Sequence, residues 1–174
     1  ETKHIRSSKL RLYVTDLSSY ENKQMKLILK QYLASLKERS ELDAVLPDLL
    51  SNMGMNVFIS PTRGVKEYGV DVAAVGRMNG EEEKVFLFSV KSGNLTRETW
   101  NGNSDQALRP SLDEIKDSFI PHRLPPEHRD KPIVICLCFG GDVVSGIRQN
   151  VTGYTQQYTR DNITFEEWNG DRLS

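Results

Sequence analysis

Between Tyr68 and Gly93, YGVDVAAVGRMNGEEEKVFLFSVKSG, three polar residues stand in or beside two apolar runs: Asp71 near the start of the first, Ser89 and Lys91 near the end of the second. A carboxylate beside a Ser-x-Lys pair can hold a cation, position a water and offset negative charge on a substrate. Placing an acid and a lysine in a sheet costs free energy unless they pair or bind something, which invites a functional reading. The competing reading is an ordinary Asp71–Lys91 ion pair on a solvated sheet face.

The elements that must position these groups are two short runs, residues 70–75 and 84–90, rich in Val and Phe and separated by a polar, Gly-containing turn. They read as adjacent strands or a hairpin. Alternation along the second puts Ser89 and Lys91 on one face and Phe86, Phe88 and Val90 on the other. Upstream, LRLYVTDL reads as a strand or ordered arm, and residues 20–38 carry Met25, Ile28, Leu29, Tyr32, Leu33 and Leu36 on one helical stripe. Ser40 suits an N-cap for a second helix that stops at Gly54, with Pro47 predicting a kink or a late start. MNVFIS follows as a strand.

Beyond Lys91 the polar run SGNLTRETWNGNSDQ reads as a loop, and a helix starts at Ser111 with Leu112, Ile115 and Phe119 on one face. Residues 132–139 form a buried strand, 143–158 a helix and NITFEEW a last strand. The whole is an α/β sandwich, a central mixed sheet of about five strands flanked by helices. One domain fills residues 1–174, an N-terminal arm and helix over 1–39 and a core over 40–174.

At 37 % hydrophobic and 27 % charged, the composition is that of a water-soluble globular chain, and no apolar run is long enough to span a bilayer. A net charge of −1 excludes a domain that coats nucleic acid by charge alone, so any such contact rests on a local patch. Cys136 and Cys138 are too close for an ordinary disulfide and lack zinc or C-x-x-C spacing; they read as reduced core residues, which suits the cytoplasm. His4, His122 and His128 lack metal-ligand spacing and read as solvated.

The run from the second helix through GMNVFIS, GVD and FSVK resembles the PD-(D/E)xK, restriction-endonuclease-like nuclease superfamily. It is most similar to the branch of Mrr-type restriction enzymes and archaeal Holliday-junction resolvases. The resemblance covers about residues 42–93, and the later elements are compatible with that fold. It implies a metal-dependent DNA endonuclease that hydrolyses phosphodiester bonds with Mg²⁺, Mn²⁺ substituting. Asp71 takes the place of the first motif acid and metal ligand, Lys91 that of the motif lysine, and the Val90 carbonyl that of a further metal ligand. Asp43 falls where relatives carry a helix-borne Glu, with Glu41 as its fallback. Ser89 departs from the pattern, since the family places an acid or Gln there. Catalysis would thus fall to Asp71, Ser89 and Lys91, with Asp71 contributing little to packing.

Thr62, Arg63 and Lys66, in the loop before the acid, are the expected DNA-backbone contacts. By the same resemblance the chain is a module of a larger restriction or anti-phage protein, a homodimer being allowed. The alternative is a nuclease fold that has lost its chemistry and serves as a binding scaffold, which Ser89 favours.

Overall fold

The computed structural model describes residues 39–61, 68–103 and 107–169, with side chains from Leu42 onward. The expected N-terminal arm and first helix lie outside the described residues. So do Thr62, Arg63 and Lys66.

Helix α1, Arg39–Asn52, is set by Leu42, Leu46 and Leu50, which recur every four residues and are all buried. It is already helical at Arg39, so Ser40 lies within it rather than capping it. Pro47 does not end the helix, although it offers no N–H to the Asp43 carbonyl four residues back. The stop falls at Gly54 as its residue type predicts. Gly54 has φ +84°, the Met55 N–H reaches the Leu50 carbonyl at 3.0 Å and the Gly54 N–H reaches that of Ser51 at 3.0 Å.

Five strands form one sheet in sequence order: β1 Asn56–Ile59, β2 Val72–Gly76, β3 Lys84–Lys91, β4 Ile133–Phe139 and β5 Ile163–Trp168. Strand β2 runs antiparallel to both its neighbours, β1 and β3, and β3, β4 and β5 are parallel, which makes the sheet mixed. The β2–β3 hairpin turns at Asn79 and Gly80, both with positive φ, closed by the Glu81 N–H on the Met78 carbonyl.

Parallel neighbours need crossovers, and helices supply them. Between β3 and β4 run the short α2, Arg97–Asn101, and then α3. Helix α3 is α-helical over Leu108–Glu114, widens to a π turn over Ile115–Phe119 and closes over Ile120–His122. Between β4 and β5 a 3₁₀ turn, Ser145–Ile147, leads into α4, Arg148–Tyr158.

The sheet divides the core in two. On one face Leu42, Leu46 and Leu50 of α1 pack over Phe86, Phe88, Val90, Cys136, Cys138 and Trp168. On the other, Trp100, Leu112, Phe119 and Val151 cover Val85, Leu87, Ile135 and Leu137. The alternation read from the sequence is realised, and both cysteines are buried on one face. His128 departs from a solvated histidine, lying half-buried with its ring 4.8 Å from that of Phe58. Among the described residues no helix is long and apolar enough to cross a membrane.

Candidate active site at the end of the third strand

Strand β3 outlasts its hairpin partner. The ladder with β2 begins at Val72 opposite Phe88, while β3 continues through Ser89, Val90 and Lys91 against β4 alone. Asp71, one residue outside β2, takes over there. Its N–H bonds the Phe88 carbonyl at 2.8 Å, and its carboxylate Oδ2 accepts the Val90 N–H at 2.7 Å. A residue's N–H and C=O point to the same flank of a strand, so the Val90 carbonyl also faces the Asp71 side. Asp71 and the Val90 backbone therefore meet at one place.

The approach to Asp71 is set by backbone shape. Tyr68 (φ +49°) and Gly69 (φ +84°) both occupy the left-handed region, and a Cβ on Gly69 would lie 2.1 Å from the Ser111 carbonyl of α3. Only glycine lets the lead-in lie this close to α3.

Ser89 and Lys91 are buried. Ser89 is 0 % exposed and Lys91 6 %, which sets aside a solvated sheet face. The Ser89 hydroxyl finds no hydrogen-bond partner among the described residues. A buried hydroxyl left this way costs about 1–3 kcal/mol, so its position calls for an explanation. Alternation puts Ser89 with Val85 and Leu87 on the α3 side.

Asp43 comes from the opposite side. It is half-buried on α1, and its charge acts on Cys138, the β4 partner of Val90. Burial first, and the Asp43 carboxylate second, push the Cys138 thiol well above its ordinary range, so it stays protonated. Asp43 is thus placed near the Val90 end of the sheet. The side chain of Glu41 lies outside the described residues.

The donors at this end are oxygens, two carboxylates and the Val90 carbonyl, with the Ser89 hydroxyl on the other face of the sheet. In kind they fit a hard cation such as Mg²⁺. Among the described residues no three His, Cys, Asp or Glu side chains form one cation-sized group. Ser89 occupies the position at which the resemblance would supply another acid.

A second polar feature escaped the sequence reading. A crevice of about 60 Å³ is lined by Arg97, Trp100, Asn101, Arg109, Ile147 and Asn150. The Thr96-x-x-Thr99 pair was its one sequence signal: Thr96 Oγ1 accepts the Thr99 N–H, and Thr99 Oγ1 accepts the Thr96 N–H, a capping box that starts α2 inside the expected loop.

Comparison with protein-family profiles, curated proteins and solved structures finds no match to this chain.

Proposed function

We propose that the chain is a metal-dependent nuclease domain acting on DNA, with its reaction centre at the C-terminal end of β3. The observation that carries this reading is the burial of Lys91, 6 % exposed, at the strand end where Asp71 grips the Val90 N–H. Burying an ammonium costs several kcal/mol in effective terms, roughly, and a site that stabilises an anion gives that cost a purpose. Asp71, the Val90 carbonyl and Asp43 would hold Mg²⁺. The cation would polarise a phosphate oxygen and lower the pKa of a bound water. Lys91 would offset negative charge growing on the phosphate. Asp71 has a second task, holding the ends of β2 and β3 together through Val90. Thr62, Arg63 and Lys66 remain the proposed backbone contacts, and a role within a larger restriction or anti-phage protein rests on the resemblance alone.

A second reading is favoured by Ser89. Its hydroxyl is fully buried, where a metal-bound water would need access to it, and this suits a nuclease fold kept as a scaffold. One assay separates the two. Supercoiled plasmid and linear DNA are incubated with Mg²⁺ or Mn²⁺, with EDTA and with an Asp71→Asn variant, which keeps an acceptor for Val90 but loses the charge. The nuclease reading expects nicking or linearisation that EDTA abolishes and Asp71→Asn reduces by orders of magnitude. Cleavage at the native level by Asp71→Asn would sink it, and no cleavage by the native chain would leave the scaffold.

A further inference from the structure

The crevice among α2, α3 and the start of α4 joins an apolar floor to a cationic rim. Trp100 and Ile147, 3 % and 2 % exposed, belong to the core and form its apolar floor. Its polar lining is Arg97, Arg109, Asn101 and Asn150, all exposed, with no acid among them. Among the described residues neither arginine forms an ion pair. The reason is local for Arg109. The nearby acid, Asp113, already accepts the Tyr154 hydroxyl at 2.7 Å and meets the Lys116 ammonium at 3.3 Å. Arg109 instead lies with its guanidinium 5.7 Å from the Tyr154 ring centre, and Tyr154 stands edge-on to Trp100 at 5.5 Å. Two planar donor forks, two amides and a dry floor enclose room for a few waters or one tetrahedral oxyanion.

We infer that this crevice is a binding site for a phosphate group, held between the Arg97 and Arg109 guanidiniums with Asn101 and Asn150 as neutral donors. Arginine forks match phosphate oxygens bidentately, and the amides add hydrogen bonds without adding charge. The phosphate could belong to a polynucleotide backbone or to a free nucleotide or orthophosphate. Geometry favours the first: Arg97 is six residues past Lys91, so the two lie within about 20 Å even were the chain fully extended. One strand could then engage both places. The crevice stands on its own lining, and only its polynucleotide source rests on the nuclease reading.

The test uses the full chain in EDTA, so that cleavage plays no part. A short fluorescein-labelled duplex, its single strand, adenosine monophosphate and inorganic phosphate are titrated separately. Binding is followed by anisotropy for the labelled DNA and by the Trp100 indole N–H resonance for every probe, assigned with Trp100→Phe. The variants are Arg97→Gln/Arg109→Gln and Arg97→Lys/Arg109→Lys, with circular dichroism melts checking that each folds. If the phosphate is a backbone one, DNA moves the Trp100 resonance. The double Gln variant then weakens DNA binding by about tenfold or more and flattens the salt dependence by roughly one to two counterions. The Lys variant keeps the salt dependence and recovers part of the affinity. If only adenosine monophosphate or inorganic phosphate moves Trp100, and the Gln variant abolishes that shift, the site stands with a free anion as its ligand. A Trp100 resonance unmoved by all four probes overturns the inference, as does a Trp100 shift, from any probe, that the Gln variant leaves unchanged. A native chain that cleaves DNA while the Gln variant binds and cleaves it equally well would fail the polynucleotide source and leave the nuclease reading intact.

Discussion

Strand β3 begins and ends with a lysine, and the two ends could hardly differ more. Lys84 is partly exposed, paired with Glu81 at 3.0 Å across a hairpin loop, with water on hand to solvate either charge. Lys91 is 6 % exposed, two residues from a hydroxyl that no described residue bonds and one from the amide held by Asp71. The same side chain on the same strand is an ordinary surface charge at one end and a buried one at the other. A surface ion pair needs no further purpose. A buried ammonium is kept only where something is gained from it, and that difference makes the Lys91 end the place to look for chemistry.

The sharpest way to break the comparison is to remove each lysine in turn. Lys91→Ala is expected to lower DNA cleavage by orders of magnitude, since charge stabilisation of this kind is worth several kcal/mol, roughly. Lys84→Ala is expected to cleave at the native rate. Equal losses, or none in either, would end the distinction between the two ends.

Asp71 gives the next largest effect, on stability. Asp71→Ala leaves the partly buried Val90 N–H without its acceptor and should cost about 1–3 kcal/mol, whereas Asp71→Asn should keep most of that. Urea melts of both variants measure it, and equal stability of the two would mean that the Val90 bond contributes nothing.

For Ser89 the sign reverses. Ser89→Ala removes a buried hydroxyl with no described partner, so the melting temperature should rise by about 2–4 °C, the equivalent of roughly 1 kcal/mol in a chain of this size. Ser89→Glu should overpack the same position and cost about 1–3 kcal/mol. A stable Ser89→Glu variant with a lowered Mg²⁺ requirement would instead place residue 89 against the cation.

The smallest effect is at Lys84. Its hydrogen bond to Glu81 is the main reason its pKa lies above the ordinary 10.5, followed by opposing burial and the charges of Glu81, Glu82 and Glu166. A group whose folded pKa is raised contributes stability that is whole below 10.5 and fades as pH climbs past the raised value. Comparing native and Lys84→Met melts should show a gap of a few tenths of a kcal/mol near neutrality that closes only in strong alkali. A gap that closes already near neutral pH would assign it to another group.

Much of this contrast was legible in the residues. The hairpin, the alternation of Ser89 and Lys91 against Phe86, Phe88 and Val90, and the stop at Gly54 follow from side-chain period and glycine geometry, which are local. The crossover between β3 and β4 was less so. Helix α3 begins at Leu108 rather than Ser111 because Pro110 sits in its first turn, where no N–H is needed. Helix α2 hid in a polar loop because a Thr-x-x-Thr box is a weak signal beside Asn and Gly. The π turn of α3, the Phe58–His128 contact and the use of Asp71 to hold Val90 depend on partners distant in sequence, which no local pattern encodes. From sequence Asp71 reads as a carboxylate with little part in packing; its bond across 19 positions corrects that.

The place of β3 in the sheet carries one more consequence. It is the middle strand of five, bonded along its length on the β4 side, and its residues from Val85 to Lys91 are buried. Backbone amides so situated exchange with solvent mainly through global unfolding, at the slow end of the range a domain spans. Ser89 is therefore expected among the most protected of the described residues, although it lies at the candidate site. The β3 part of such a site is expected to be ordered before any ligand arrives, with little ordering entropy left to lose on binding. A cation or phosphate that binds there would stabilise the whole domain by mass action rather than order a local segment. Its thermodynamic trace would be a uniform slowing of exchange across β3 and β4.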